Sequence, residues 1–304
     1  MPKKVLITGG TGFIGRELCK QLLKAGHNLT VLSRQKPATV KAICGKVEPV
    51  SELNLLKSHP GFDVVFNLAG EGIADKRWSA ERKATLLDSR VALTLTLVEV
   101  IRSWDQPPMT VISGSAVGFY GDQGPHLVTE DTTPTPGFTH RLCAEWEDAA
   151  LSLQTDSVRV CLSRTGLVVG KDGGFLERMT LPFKLGLGGK LGSGTQYMPW
   201  VHRQDVVAGL IWMMENHLAQ GAYNMVSPNP VTNAEFTRTF AKALKRPALL
   251  PAPAPALRMI LGEMSELLLT GQKAVPARLQ SEGFKFSYPA LENALNNSIK
   301  NKNF

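Results

Sequence analysis

Gly9, Gly12 and Gly15 fall three residues apart in the run Thr8-Gly9-Gly10-Thr11-Gly12-Phe13-Ile14-Gly15. Between a strand and a helix, that spacing serves one kind of chemistry. The first glycine permits a tight turn, the second lets backbone approach a diphosphate, and the third lets helix pack on strand. The free N–H groups and partial positive charge of the helix start then face the anion. We read Gly9, Thr11, Gly12, Phe13, Ile14 and Gly15 as a dinucleotide-binding corner. Ser33-Arg34 ends the next apolar run, where an acid would bind a ribose 2′-hydroxyl, and no acid occurs between Asn28 and Gly45. Arginine there can hold a 2′-phosphate through a bidentate, charge-assisted contact, and the serine hydroxyl can add to it. The expected coenzyme is therefore NADP(H) rather than NAD(H). Asn67-Leu68-Ala69-Gly70 closes another apolar run with small residues that let backbone lie against ribose and pyrophosphate. Glu71 follows directly and can bind a ribose hydroxyl or act as an acid.

These residues need a frame. Lys3 to Thr8 has the uninterrupted apolar character of a buried strand, and Phe13 to Ala25 has helical spacing closed by Gly26. Strands are expected over 28–33, 63–68, 109–113 and 158–165, and helices over 79–104 and 142–153. Alternating strands and helices predict an α/β fold, a doubly wound (Rossmann) parallel sheet with helices on both faces. After about residue 170 the texture changes. Residues 186–194 hold five glycines in nine positions, which predicts a mobile or tightly turned loop. With Gln196, Met198 and Trp200, that loop is expected over a substrate crevice beyond the carboxyl ends of the strands. Helices are expected over 204–215 and 233–244, an extended proline-rich connector over 247–255, and a helical tail interrupted near Gly271, Pro276 and Gly283. The expected division is a coenzyme domain of residues 1–170 with parts of 200–230, and a smaller, mostly helical substrate lobe of 171–200 and 231–304.

Composition excludes several classes. A chain of 304 residues that is 43% apolar and 20% charged is not disordered. The cysteines, Cys19, Cys44, Cys143 and Cys161, form no Cys-x-x-Cys pair, so no metal site is expected and reduced, packed thiols are. The net charge of +8 favours anionic partners, and residues 1–50 carry nine Lys/Arg against Glu17 and Glu48. Nucleic-acid binding would want those cations interleaved with exposed aromatics, and they are not, so no nucleic-acid partner is expected. No apolar run reaches the length of a signal core or the roughly 18 residues of a membrane span, so no membrane association is expected and a cytoplasmic location is.

Longer motifs carry a family resemblance. Ile112-Ser113-Gly114-Ser115-Ala116-Val117-Gly118-Phe119-Tyr120-Gly121 resembles the Ser-Ser-x-x-Val-Tyr-Gly strand end of extended, epimerase-like short-chain dehydrogenase/reductases, with one extra residue before Tyr120. Trp200-Val201-His202-Arg203-Gln204-Asp205 is similar to their Val-His-Val-x-Asp segment. Gly70-Glu71, Arg77-Trp78, Ser89-Arg90, Arg164-Thr165-Gly166, Met198-Pro199-Trp200, Leu261-Gly262-Glu263, Gly271-Gln272 and Gly283-Phe284-Lys285-Phe286 narrow it to the YfcH-like epimerase family, along essentially the whole chain. The resemblance implies an NADP(H)-binding Rossmann fold with a small C-terminal lobe of unassigned function; "epimerase" is an inherited label there, not an established reaction. It also implies that Ser33 and Arg34 hold the adenosine phosphate, that Leu68 and Ala69 line the dinucleotide, that Arg90 reaches the cofactor, and that Val168 lies near the nicotinamide.

The catalytic pattern departs from the superfamily. Its enzymes use Tyr-x-x-x-Lys, in which lysine lowers the tyrosine pKa beside hydride transfer. Counting back from Glu147 puts Cys143 at the lysine position and Thr139 at the tyrosine position, and no Tyr-x-x-x-Lys occurs elsewhere. Ser115 fits the serine that polarises a substrate oxygen, and Tyr120 is the best substitute proton donor. His140, Arg141 and His202 are weaker candidates, and Arg164 and Lys190 can meet an anionic substrate. Two readings follow. One is an NADP(H)-dependent oxidoreductase or nucleotide-sugar-type epimerase of atypical site chemistry, acting on a small polar, anionic or nucleotide-linked molecule. The other is a non-catalytic NADP(H)-binding sensor or partner-binding protein. A monomer and a homodimer paired through helix 79–104 both fit.

Overall fold

The computed structural model describes residues 1–299; residues 300–304, the end of the expected lobe, lie outside the described residues. Seven parallel strands form the central sheet: β1 (Lys4–Thr8), β2 (Asn28–Leu32), β3 (Glu48–Val50), β4 (Val64–Asn67), β5 (Thr110–Ala116), β6 (Arg159–Thr165) and β7 (Gly221–Met225). Their spatial order is β3-β2-β1-β4-β5-β6-β7, so the sense in which successive strands are added reverses between β1 and β4. The strands read as unbroken apolar runs because both faces are covered. Val5 and Ile7 join a core with Leu18 and Leu22 of α1 (Gly15–Lys24) on one face. Leu6, between them, joins Leu97 and Ile101 on the other. The edge strand β3 was not expected; it is short and holds Pro49, which the sheet tolerates only at an edge.

The remaining helices are α2 (Pro37–Cys44), α3 (Ala80–Leu87), α4 (Leu93–Arg102), α5 (Phe138–Leu151), α6 (Gly174–Lys184), α7 (Arg203–Glu215), α8 (Asn233–Leu244), α9 (Ala254–Leu261), α10 (Glu266–Leu269), α11 (Ala277–Ser281) and α12 (Leu291–Ile299). The helical pattern over 79–104 resolves into α3 and α4 joined by a π-helical turn, Asp88–Ala92. Ser79 caps its start by accepting the N–H of Arg82 at 3.1 Å. The π turn lets the two halves face different neighbours. Leu86 packs with Trp78, Leu142 and Met264, whereas Leu97 and Ile101 pack on the sheet.

The C-terminal lobe has its own core, in which Phe183, Phe236, Phe240, Leu291 and Leu295 surround Trp200. The tail is less purely helical than expected, because Lys273–Ala274 pairs in parallel with Leu127–Val128. The glycine-rich loop is irregular, as expected, but its contacts differ from the expected crevice cover. Leu250 and Ala252 donate to Gly188 and Lys190 carbonyls at 3.2 and 2.9 Å, and Gln196 donates to the carbonyls of Leu191 and Leu268 at 3.0 and 2.7 Å. Met198 and Trp200 are buried. Glycines here serve close backbone packing: a Cβ at Gly189 would overlap the carbonyl of Leu250. Among the described residues no helix is long and apolar enough to cross a membrane.

Candidate functional site

Where the strand order reverses, the loops after β1, β2 and β4 part and leave a cleft of about 790 Å³. Open α/β sheets bind ligands at this point because adjacent loops diverge. Gly9, Thr11, Gly12, Ser33, Arg34, Leu68, Ala69, Gly70 and Glu71 all line it. The other expected coenzyme residues do not line it. Phe13 turns its ring toward the lobe, under Gly173 and Gly174 and 4.6 Å from the Arg203 guanidinium. Ile14 packs on the core, and Gly15 lies against the Gly9 carbonyl. Val168 pairs with Val201 in a short parallel ladder. Thr85, Asp88, Ser89 and Ala92 also line the cleft, and sequence reasoning missed most of them. The only available signal was their place near Ser89-Arg90, because a π turn leaves the apolar periodicity intact on both sides.

The glycines differ in what they require. Gly9 has φ +72°, and a Cβ there would lie 2.7 Å from the Leu68 backbone. Gly15 would collide with Gly9. Among the described residues a Cβ at Gly12 meets only the Gly9 carbonyl, at 3.2 Å, so the demand for glycine there comes from the cleft rather than the fold. Among the described residues no side chain caps α1. Thr8 ties the turn to the β4 exit: its Oγ1 accepts the N–H groups of Leu68 and Ala69, both at 3.1 Å, and donates to Asn67 Oδ1 at 2.9 Å.

One wall is built on Glu71. Its Oε1 lies 3.2 Å from Arg34 Nη2 and its Oε2 3.5 Å from Arg82 Nη1. Its N–H donates to Ser89 Oγ at 3.2 Å, and its carbonyl accepts from Arg90 Nη2 at 2.7 Å. The Arg34 guanidinium, with Arg82 assisting, holds the Glu71 carboxyl below its usual range. Arg90 lies below Gly70 and 5.4 Å from the Trp146 ring, and burial lowers its pKa.

The residues expected to move protons are engaged elsewhere. Ser115 donates to Glu147 Oε1 at 2.5 Å. Glu147 takes Arg164 through two contacts of 2.9 Å, Nε to Oε1 and Nη2 to Oε2. Arg164 Nη1 donates to the Tyr120 hydroxyl at 2.9 Å, and Tyr120 donates to Asn224 Oδ1 at 2.7 Å. Tyr120 is 0% exposed, and burial pushes its phenol up to about 12. Tyr120, expected as the substitute proton donor, thus has its hydroxyl engaged between Arg164 and Asn224. Arg164, expected as a contact for an anionic substrate, is buried and paired with Glu147. Cys143, at the lysine position, is a buried thiol pushed up to about 12, mainly by desolvation and further by Glu147. Thr139 lies against Gly118. His140 Nδ1 is 2.7 Å from the Phe119 carbonyl. His202 caps α7, its Nδ1 accepting from Gln204 N–H at 3.3 Å, and Asp205 accepts the N–H groups of Ser287 and Tyr288. Lys190 is exposed on its loop.

A doubly wound parallel sheet with a glycine turn and a cleft at its switch point defines a Rossmann-fold protein of the extended short-chain dehydrogenase/reductase type. The chain belongs to the NAD dependent epimerase/dehydratase family, whose model matches residues 5–226, and residues 252–298 match a domain of unknown function, DUF1731. It is 38% identical over 297 residues to the epimerase family protein Mb2239 of Mycobacterium bovis, covering 96% of each chain. It resembles a crystal structure of the human epimerase family protein SDR39U1 (isoform 2) with NADPH at a TM-score of 0.90 and 35% identity, covering 98% of this chain and 99% of that one. The nucleoside-diphosphate sugar epimerase of Corynebacterium glutamicum follows at a TM-score of 0.79 and 29% identity, covering 98% of this chain and 58% of that one. The epimerase-family resemblance read from the motifs is borne out.

Proposed function

We propose that this chain binds NADP(H) in the switch-point cleft and runs no Tyr-Lys proton relay there. The observation that carries the coenzyme reading is Arg34, a cation at the lip of the cleft, on the strand end where an NAD site would present an acid. The residues fit the coenzyme. Gly9 and Gly12 leave room for the diphosphate beside the uncapped start of α1, Ser33 and Arg34 face the 2′-phosphate, and Leu68, Ala69 and Gly70 border the adenosine half. The NADPH of the human relative supports this reading. When bound, the nicotinamide would supply or accept hydride; family resemblance assigns Val168 to that half and has Arg90 reach the cofactor. Ser115 and Tyr120, held by Glu147, Arg164 and Asn224, favour a sensor or partner-binding protein over a carbonyl reductase or nucleotide-sugar epimerase. Four free, buried thiols support a reducing compartment such as the cytoplasm.

A second reading keeps catalysis, on one observation. A carbonyl only accepts, so His140 Nδ1 donates to Phe119, and in the neutral ring Nε2 is then the acceptor nitrogen, a base near the position the family gives to tyrosine. Titration with NADPH and NADH, followed by coenzyme fluorescence, tests binding; absence of NADPH binding overturns the proposal. Following 340 nm absorbance and product epimers across carbonyl compounds and nucleotide sugars then separates the readings. No turnover is expected, and turnover lost in His140→Ala would establish the second.

A further inference from the structure

Three guanidinium groups converge on a single residue. Arg34 and Arg82 share the Glu71 carboxylate, and Arg90 holds the Glu71 carbonyl while Ser89 holds its N–H. The backbone of Glu71 is thus pinned by the helix-and-π-turn segment across the cleft. The partners of its carboxylate are unlike each other. The Arg34 side chain is 91% exposed and reaches Glu71 from the far lip. The Arg82 side chain is only 9% exposed, donates to the Gly72 carbonyl at 2.6 Å, and among the described residues its Nε has no hydrogen-bond partner. Glu71 is therefore anchored on the Arg82 side and presents its charge to Arg34.

Resting on the NADP(H) reading, we infer that Glu71 sets coenzyme selectivity as the resident counter-ion of Arg34. A 2′-phosphate must take this guanidinium from Glu71, whereas a 2′-hydroxyl need not. The exchange is feasible because an ion pair so exposed contributes little. The carboxylate does not leave when displaced, since Arg82 and the two backbone contacts retain it. It stays as a negative charge beside an incoming dianion and opposes it through space. Glu71 thus weakens NADPH binding, leaves NADH binding untouched, and holds the preference for the phosphorylated coenzyme below what Arg34 alone would give. Its effect must shrink with ionic strength, because the groups face solvent.

Glu71→Gln keeps the shape and both backbone contacts and removes the charge. With NADPH and NADH titrated against the full chain by calorimetry, the NADPH Kd should fall about 3- to 10-fold at low salt, with the gain fading at high salt and the NADH Kd unchanged. Glu71→Asp, which retains charge, should stay near the parent. A thermal melt close to the parent's checks that Glu71→Gln is folded. Unchanged or weaker NADPH binding by Glu71→Gln, or equal shifts for both coenzymes, overturns the inference. Arg34→Ala distinguishes the layers. If it weakens NADPH while Glu71→Gln does nothing, the coenzyme reading stands and the role of Glu71 falls. If Arg34→Ala leaves NADPH binding intact, the coenzyme reading falls and the inference falls with it.

Discussion

Arg34 and Tyr120 illustrate how differently one side chain can be used at the rim and in the interior. Arg34 is exposed and loosely paired, so its charge is available to a ligand. Arg34→Ala should cost about 1.5–3 kcal/mol of NADPH affinity, the range for a charge-assisted hydrogen bond, and leave NADH nearly unchanged, as read by calorimetry. Tyr120 is enclosed, and its hydroxyl joins Arg164 to Asn224. Tyr120→Phe leaves Asn224 Oδ1 without that donor and removes an acceptor from Arg164. It should lower unfolding free energy by about 1–3 kcal/mol in denaturant titrations. Coenzyme affinity should not change; a variant of parental stability would contradict a structural role for the phenol.

At the scale of elements, the strand–turn–helix unit from β1 to α1 separates two demands for glycine. Gly15 is required by the fold, because any side chain there meets the Gly9 backbone. Gly12 is open on the protein side and lines the cleft. Gly12→Val should therefore melt as a folded protein and lose NADPH binding, whereas Gly15→Val should fail to fold cooperatively. Comparing thermal melts with coenzyme titrations of the two variants checks the distinction. The segment after β4 is set just as specifically. Ser79 starts α3, and the π turn at Asp88–Ala92 delivers Ser89 and Arg90 to opposite ends of the Glu71 peptide. π turns concentrate at functional sites because the added residue re-aims side chains without ending the helix.

The two lobes are tied into one molecule by polar contacts between distant parts of the chain. Arg178 of α6 pairs with Asp75, and Lys83 of α3 pairs with Glu263. Asp205 takes two backbone N–H groups of the tail. His202 sits at this junction, 2% exposed, its ring tilted by 36° and 4.0 Å from that of Tyr288. Burial holds its imidazole down at about 4, from an ordinary value of 6.5. The unfolded chain therefore takes up a proton between those values that the folded chain refuses. Stability from this group is complete above pH 6.5 and is lost as pH falls through about 4; the loss is on the order of 2–4 kcal/mol. Protonating Nδ1 also removes the acceptor that caps α7. Chemical denaturation between pH 4 and 8 should show that slope, and His202→Asn should flatten it.

What was legible in the sequence was local. The spacing of Gly9, Gly12 and Gly15 and the apolar runs of β1, β2 and β4 determined the Rossmann unit, and the absence of an acid beside Arg34 set the proposal of a coenzyme corner there. Each depends on residues within one or two turns of chain, where backbone geometry alone relates spacing to position. The use of Ser115, Tyr120 and Arg164 was not legible, because their partners lie far along the chain: Glu147 is 17 residues from Arg164, and Asn224 is 104 from Tyr120. Arg34 meets Glu71 across 37 residues. Only the packing of α5 and β7 beside β6, and of the β4 exit opposite the β2 exit, brings such groups within hydrogen-bond range. Motif spacing carries no information about that approach, since a hydrogen bond depends on distances of a few tenths of an ångström that only the assembled core imposes.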